Sequence, residues 1–191
     1  VTHYPIGSGN DFIRLFGPDA PLFYDLGELV EGVSAPLDLI DCNSRLAINI
    51  CSVGLDARVG LAVADFKRLP LVTGPVAYQL SLMTHVVRGI HRFYRVTVDG
   101  ERFDGRFTLL CACNGQYYGG GFHPTPDALP DDGLLDFLLV KGVSRLTAAS
   151  VVGKYAKGQA ASYPQYITIR RGKEMTVECE TMSRVNVDGE R

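Results

Sequence analysis

The sequence contains no long apolar run and no concentration of charge of one sign. No apolar stretch approaches the roughly 20 residues that a membrane-spanning helix needs, and no signal peptide opens the chain. Its 19 Lys and Arg residues nearly balance 21 Asp and Glu residues, for a formal charge of −2, and the basic residues are spread along the chain. The sequence therefore predicts a protein that is soluble or peripheral to a membrane, with no nucleic-acid partner.

The sequence also lacks an arrangement of His or Cys that is typical of metal binding or nucleophilic catalysis. Its four histidines show no metal-ligand spacing and none has a nucleophile beside it, which argues against a Ser/His hydrolase. Cys111 and Cys113 share one face of a predicted strand, but their spacing is too tight for a zinc knuckle and no second pair exists. The five cysteines lie mostly in apolar β-type runs, so we expect them to be core residues of a reduced cytosolic protein.

The composition is that of a folded globular protein. Hydrophobic residues make up 46% and charged residues 21% of the 191 positions, which is enough for one core or two small ones. Val1 stands a few residues before a glycine turn, and Arg191 follows an acidic Asp-Gly-Glu directly. We interpret the sequence as a fragment of a longer protein.

Residues 5–14 have the pattern of a phosphate-facing turn. They place glycines, a hydroxyl, an amide and a carboxylate directly before an apolar helical pattern. Gly7 and Gly9 allow backbone conformations closed to other residues and let a ligand approach bare N–H groups. We expect Asn10 or Asp11 to cap the following helix, whose N-terminus favours anions. An ordinary loop with an Asp cap is the alternative interpretation.

The periodicity along the chain predicts an α+β fold, with an antiparallel β-sandwich or partial barrel and a few helices. Strands are predicted over residues 36–42, 46–53, 92–98, 107–113, 134–140, 166–170, 175–179 and 183–187. Helices are predicted over residues 12–16, 56–69, 75–90 and 144–157. A change of composition over residues 18–35 predicts a domain boundary, with a remnant of one domain over residues 1–33 and a second domain over residues 34–191.

Residues 114–132 form a predicted loop whose length indicates a function. Loops of this length inside compact domains are uncommon unless they are functional. This one contains Asn114-Gly115, three prolines and the successive glycines 119–121. Three adjacent glycines are also typical of a bulge followed by a turn, so this simpler interpretation stays open.

Four stretches together resemble the soluble diacylglycerol kinase catalytic domain, the family of bacterial lipid kinases and of sphingosine and ceramide kinases. The first is the glycine turn, with Ser8 where Thr is more usual, and the second runs from Asn49 to Gly54-Leu55-Asp56-Ala57. The third spans residues 114–136, with Gly-Gly-Gly, Pro-Asp-Ala and Asp-Asp-Gly-Leu-Leu-Asp segments, and the last is Val187-Asp188-Gly189-Glu190. Their order also matches, and together they cover nearly the whole chain.

The resemblance implies a two-domain enzyme in which an N-terminal α/β domain binds ATP and a β-sandwich domain closes the cleft. This chain then holds the sandwich and a short remnant of the first domain. Its first partner is the missing N-terminal domain of the same protein, where the family's Gly-Gly-Asp-Gly-Thr loop belongs, so the fragment is expected to be inactive alone. A homo-oligomer is compatible with the sequence.

The resemblance also implies residue roles in an ATP- and Mg²⁺-dependent transfer of phosphate to a lipid hydroxyl. Asp188 is the expected base, and Glu190 is expected to support the metal network from the same face if strand geometry continues through Gly189. Asp11 joins this network around a catalytic Mg²⁺. The expected nucleotide-binding residues are Gly7, Ser8, Gly9, Asn10 and Asp11. The two ends of the chain must then meet in one cleft.

A second metal site is implied by the resemblance at residues 131–134. Asp132 is the expected ligand of a structural Mg²⁺, with the Leu134 carbonyl beside it. Leu129 occupies a position where some relatives offer a polar side chain. A solvated turn that leads into the next strand is the alternative.

The lipid is the least determined part of the expected reaction. Diacylglycerol is the default substrate, while a sphingoid base, ceramide, another glycerolipid or a prenol would also fit an apolar slot. We expect a cytoplasmic enzyme of phospholipid metabolism that meets its lipid substrate at the inner membrane face. A non-catalytic lipid-binding module of the same fold and an NAD kinase-type enzyme remain alternatives.

Overall fold

The computed structural model describes residues 2–7, 9–54, 91–180 and 183–189. These ranges contain ten strands, two α-helices and two 3₁₀ segments. The strands are β1 Ile40–Cys42, β2 Arg45–Ala47, β3 Ile50–Gly54, β4 Arg92–Val98, β5 Glu101–Arg102, β6 Gly105–Cys113, β7 Leu135–Lys141, β8 Ile167–Gly172, β9 Met175–Glu178 and β10 Val185–Val187. The helices are α1 Leu26–Glu31 and α2 Arg145–Tyr155, and the 3₁₀ segments are Phe12–Tyr24 and Ala160–Ser162.

The sheet is antiparallel at every pairing in the described ranges and is centred on β6. One edge of β6 pairs with β7, which continues to β8. The other edge is shared by β3, which continues to β10, and by the first residues of β4. The rest of β4 leaves β6 and pairs with β9. Because β4 passes from one partner to another along its length, the sheet curls, and the β1–β2 hairpin lies beside it.

The curled sheet has a hydrophobic core on each face. Along β6, Leu110 and Ala112 enter one core together with residues of β1, β4, β7 and β10. Leu109 and Cys111 point to the opposite face and pack against α2 and the Ala160–Ser162 segment. Burial on both faces explains why β6 is a nearly continuous apolar run rather than an alternating one.

The predicted α+β class with an antiparallel sandwich and few helices is confirmed. Asn43-Ser44 and Asp99-Gly100 form the turns between the first two predicted strands and after the third, with φ of 51° and 67° in the first turn and 44° and 87° in the second. Ser144 caps α2 by accepting a hydrogen bond from Thr147 N at 3.2 Å. The helices predicted over residues 56–69 and 75–90 lie outside the described residues, and the predicted domain boundary stays a prediction.

Two predicted elements differ from the structure. The strand predicted over residues 46–53 is divided into β2 and β3 by a bend at Ile48 and Asn49. At this bend the backbone N–H groups donate to the Asp188 carboxylate instead of to a neighbouring strand. The helix predicted over residues 12–16 breaks at Gly17, where the prediction ends it and where φ of 52° and ψ of −117° are not helical; it differs in being a 3₁₀ segment that resumes after Gly17 and continues to Tyr24. Glycine permits this break, because a left-handed φ is unfavourable for other residues.

The cysteines serve mainly as core residues. Cys51, Cys111 and Cys113 are buried and Cys42 is half-buried, while Cys179 is exposed. Cys111 and Cys113 belong to the same core cluster, which confirms that they share a face. Across the described ranges, no helix combines the length and apolar character needed to span a bilayer.

Candidate active site

The Asp188 carboxylate holds the bend between β2 and β3. Its Oδ2 accepts a hydrogen bond from Ile48 N at 2.7 Å, and its Oδ1 accepts from Asn49 N at 3.2 Å and from Ile50 N at 2.7 Å. Asp188 directly follows β10, adopts a φ of 48° and donates its own N–H to the Ile50 carbonyl at 2.9 Å. The acidic turn therefore organises the bend, while Asp188 itself remains exposed at the surface.

Asn49 connects this bend to the long glycine-rich loop. Its side-chain Nδ2 donates to the Tyr117 carbonyl at 2.9 Å, and its own carbonyl accepts from Asn114 N at 2.9 Å and from Gly115 N at 3.1 Å. A Cβ atom at Gly115 would overlap the Asn49 Oδ1 atom, so only glycine fits at this position. The loop and the bend are thus held in one arrangement.

The successive glycines of this loop form a tight turn. Tyr118 and Phe122 exchange two backbone hydrogen bonds of 2.9 Å across it. Gly119, Gly120 and Gly121 have φ of 62°, 84° and 114°, which is the left-handed region that favours glycine. The turn directs the Gly120 N–H towards the N-terminal segment, where it donates to Asp11 Oδ2 at 2.7 Å.

Asp11, one of the two predicted capping residues, occupies the N-cap position of the first helical segment but makes no side-chain capping hydrogen bond. Its carboxylate instead accepts from the Gly120 N–H and from Arg14 Nε, which lies 3.0 Å from Oδ1. The Asp11 side chain is buried. Burial raises the pKa of Asp11, and the Gly120 N–H and the Arg14 guanidinium oppose this shift.

Asn10 closes the glycine turn on itself. It adopts a φ of 48°, and its Nδ2 donates to the Pro5 carbonyl at 3.3 Å and to the Tyr24 hydroxyl at 3.2 Å. Gly7 and Gly9 lie in this turn, and Gly9 faces the Gly120 N–H, since a Cβ at Gly9 would stand 3.7 Å from that nitrogen. Ser8 lies outside the described residues. The described part of the turn faces the glycine-rich loop.

His3 contacts the first helical segment and lies within electrostatic reach of Asp188. His3 packs its ring against Phe12, with centroids 5.4 Å apart. Burial lowers the pKa of His3, and the charge of Asp188 opposes this shift.

The strand geometry on which the predicted alignment of Asp188 and Glu190 depends does not continue through Gly189. Strand β10 ends at Val187, and Asp188 and Gly189 follow in a turn with φ of 48° and 94°. The Gly189 N–H donates to Asn186 Oδ1 at 2.7 Å and fixes this turn. Glu190 lies outside the described residues, so its role stays a prediction.

The predicted structural metal site is arranged around an arginine. Asp132 Oδ1 accepts from Leu134 N at 3.0 Å, and Asp132 Oδ2 is bound by Arg171 Nη2. Among the residues that the structure describes, no group of three or more acidic, His or Cys side chains has the arrangement of a metal site.

Three contributors were missed by sequence reasoning. Arg171 reaches Asp132 from β8, which only the strand register brings close. Tyr117 and His123 stack at 4.0 Å between ring centroids, with planes 9° apart, next to the turn at residues 119–121. A signal existed only for the second set, since both aromatic rings lie within the loop that was singled out.

The fold and the site define a β-sandwich domain of the NAD kinase-like type. Residues 49–191 match the family described as the YegS C-terminal NAD kinase beta sandwich-like domain, and the chain belongs to this family. The resemblance drawn from the four sequence stretches is thereby confirmed.

Curated relatives agree with this assignment, and a solved structure shares the fold. A Staphylococcus carnosus (strain TM300) protein named diacylglycerol kinase is 25% identical over 186 residues, which cover 97% of this chain and 60% of that protein. A Shewanella frigidimarina (strain NCIMB 400) protein named "Probable lipid kinase YegS-like" is 30% identical over 144 residues, covering 75% of this chain and 46% of that protein. A crystal structure of a diacylglycerol kinase from Bacillus anthracis str. Sterne has a TM-score of 0.62 at 22% identity and covers 97% of this chain and 58% of its own. The chain thus spans about 60% or less of each of these proteins.

Proposed function

We propose that the protein is an ATP- and Mg²⁺-dependent lipid kinase that transfers the γ-phosphoryl group to a lipid hydroxyl, with diacylglycerol as its substrate. The names of its relatives support this class of activity. One observation carries the assignment to this site: Asp11 near one end of the chain and Asp188 near the other are both held by the bend and loop that Asn49 joins. The active unit includes an N-terminal domain beyond this chain.

Asp11 is suited to an outer position in the metal network. Arg14 Nε and the Gly120 N–H reach its carboxylate, which has about four lone-pair positions, so acceptor positions remain. Because the Arg14 guanidinium already balances its charge, Asp11 would accept a metal-bound water rather than bind Mg²⁺ directly. When bound, ATP supplies the phosphoryl group and Mg²⁺ neutralises phosphate charge.

Asp188 is our proposed base. Its Oδ1 accepts two backbone hydrogen bonds and its Oδ2 accepts one, so the free lone pair is on Oδ2. That oxygen would take the proton of the lipid hydroxyl while the hydroxyl oxygen attacks the γ-phosphorus and ADP leaves. Three fixed amides hold the carboxylate in one orientation, which is what a base needs in order to act on a positioned hydroxyl. Glu190 is proposed to support the metal beside it.

The glycine turn is our proposed nucleotide contact. Asn10 fixes the turn through Pro5 and Tyr24. The backbone N–H groups of Gly7 and Gly9 are our proposed contacts with the phosphates, with Ser8 as a further proposed nucleotide-binding residue. The lipid's acyl chains would provide affinity through burial, at about 0.8 kcal/mol for each methylene. The reaction is placed at the cytoplasmic face of the membrane, where such a lipid resides.

The test is a substrate panel with the full-length gene product. Purified protein is incubated with radiolabelled ATP and Mg²⁺ and with vesicles that contain diacylglycerol, ceramide or sphingosine, and separately with NAD. We expect label in the lipid product with diacylglycerol and none in NADP. Lipid binding without transfer would favour the non-catalytic module, and labelled NADP would favour the NAD kinase-type enzyme. Either result would refute the proposal.

A further inference from the structure

Arg171 lies between two carboxylates across the β7–β8 pairing. It reaches Asp132 Oδ2 through Nη2, and its Nε lies 3.9 Å from Asp136 Oδ2. Asp136 and Arg171 stand directly opposite each other on the paired strands β7 and β8, so the strand register fixes this contact. The guanidinium therefore joins two acidic side chains that belong to one turn and the strand after it.

The acidic surroundings of Arg171 are partly buried. Asp136 is only 8% exposed, and burial raises the pKa of Asp136 while the Arg171 charge opposes this shift. The charges of Asp132 and Asp127 act on Asp136 in the same direction as burial. Two or more carboxylates this close need a cation between them, because their mutual repulsion is stronger away from water.

Protein groups alone also hold the backbone of this turn. Asp38 Oδ2 accepts from Gly133 N at 2.6 Å, and Asp38 N donates to the Pro130 carbonyl at 2.7 Å. Asp132 Oδ1 accepts from Leu134 N at 3.0 Å. Hydrogen bonds to Asp38 and to the Asp132 side chain thus fix both sides of the turn.

These residues do not fit a structural Mg²⁺. Magnesium needs near-octahedral oxygen ligands, and a guanidinium that bridges the two carboxylates occupies the place between them and repels a divalent ion. The Leu129 side chain, 49% exposed, offers no oxygen. Within the ranges described here, the acidic residues do not form a three-ligand metal site.

We propose that the Arg171 side chain replaces the structural divalent cation in this protein, binding Asp132 and Asp136 so that the turn at residues 130–134 is held without metal. The consequence is that the stability of the domain does not depend on Mg²⁺. This inference does not rest on the proposed kinase activity, because it concerns the protein without nucleotide.

The test measures thermal unfolding of the full-length protein without nucleotide, in EDTA, in MgCl₂ and in NaCl of equal ionic strength. The wild-type Tm should be the same in EDTA and MgCl₂ once ionic strength is matched. Arg171→Gln should lower Tm by about 4 °C or more. Arg170→Gln is the matched control, because this neighbouring arginine makes an exposed ion pair, 3.3 Å from Glu101 Oε2, which contributes little to stability.

Two results would overturn the proposal. One is a saturable rise in wild-type Tm with MgCl₂ that Asp132→Asn abolishes, and the other is an Arg171→Gln variant no less stable than Arg170→Gln. If Arg171→Gln fails to fold, the number of bound Mn²⁺ ions is measured by electron paramagnetic resonance for the wild type and Asp132→Asn. Equal numbers support the proposal, and one ion fewer in Asp132→Asn refutes it.

Discussion

Asp11 and Gly120 stand 109 positions apart in the sequence and are joined by a hydrogen bond of 2.7 Å from the Gly120 N–H to Asp11 Oδ2. This contact fastens the glycine turn at one end of the chain to the glycine-rich loop in its middle. Arg14 completes the arrangement from the other side of the carboxylate. A buried acid with two fixed donors is a structural link as well as a candidate for chemistry.

Asp11→Asn should weaken both the fold and the activity. In the wild type each carboxylate oxygen accepts one hydrogen bond. The amide replaces one of these oxygens by an NH₂ donor, so either Gly120 or Arg14 loses its acceptor. The buried side chain at position 11 then lacks one of its hydrogen-bond partners, which costs about 1–3 kcal/mol. We expect a lower free energy of unfolding in urea and a loss of phosphate transfer by the full-length protein.

Asp19→Asn is the matched control for this change, since Asp19 lies on the same helical segment and is exposed. It should leave the urea midpoint unchanged. Equal stability of Asp11→Asn and Asp19→Asn would show that the link to the glycine-rich loop contributes nothing to folding.

Gly115→Ala should be strongly destabilising, whereas Gly153→Ala should not be. A Cβ at Gly115 would overlap Asn49 Oδ1, which the Asn49–Tyr117 hydrogen bond holds in place. Gly153 lies within α2, where an added Cβ would meet no atom within 4 Å, and Ala favours a helix over Gly by about 1 kcal/mol. Urea unfolding should therefore show opposite signs for the two variants. A stabilised Gly115→Ala protein would contradict the close contact with Asn49.

Local signals were enough to predict much of the fold. Asn43-Ser44 and Asp99-Gly100 supply residues that tolerate positive φ, so the two hairpins were predictable from the sequence. The apolar run of β6 also indicated a strand. The contacts were not predictable in the same way. The bend at Ile48 and Asn49 depends on a carboxylate 140 positions away from Ile48, and no local pattern carries that information.

The candidate site shows the same division. The motifs predict that Asp11 and Asp188 line one cleft, and this stays a prediction; the structure binds Asp11 to the glycine-rich loop and Asp188 to the bend at Ile48 and Asn49. Asp11 makes no side-chain capping hydrogen bond because a tertiary donor, the Gly120 N–H, competes with the helix terminus for its carboxylate. Arg171 could not be predicted, because its contact with Asp132 depends on the register between β7 and β8.

Asp188→Asn separates a base from a purely structural carboxylate. The amide retains one acceptor oxygen for the Asn49 and Ile50 amides but turns a donor towards Ile48 N, and the loss of this exposed hydrogen bond costs about 0.5–1.5 kcal/mol of stability. We expect a folded protein of lower Tm that transfers no phosphate to diacylglycerol, measured at a temperature well below that Tm. Near-normal turnover would remove Asp188 from the role of base, and a parallel Glu190→Gln variant would then test the second carboxylate.

Acidification should destabilise the protein partly through His123. Burial lowers the pKa of His123 below the ordinary histidine value of 6.5, and the charge of Asp127 only partly opposes this shift. The folded state therefore binds this proton less readily than the unfolded state does, so the stability contributed by neutral His123 is present above about pH 6.5 and is lost as the pH falls through the folded-state pKa.

His123→Gln removes this titration and also removes the ring that stacks on Tyr117. The measurement is the urea unfolding free energy of the wild type and the variant at several pH values between neutrality and pH 5. The wild type should lose more stability than the variant as the pH falls, because only the wild type has a ring at position 123 whose protonation favours the unfolded state. His91→Gln is the control, since His91 is exposed. Parallel pH profiles for the wild type and His123→Gln would show that the His123 ring is not held in its neutral form by the fold.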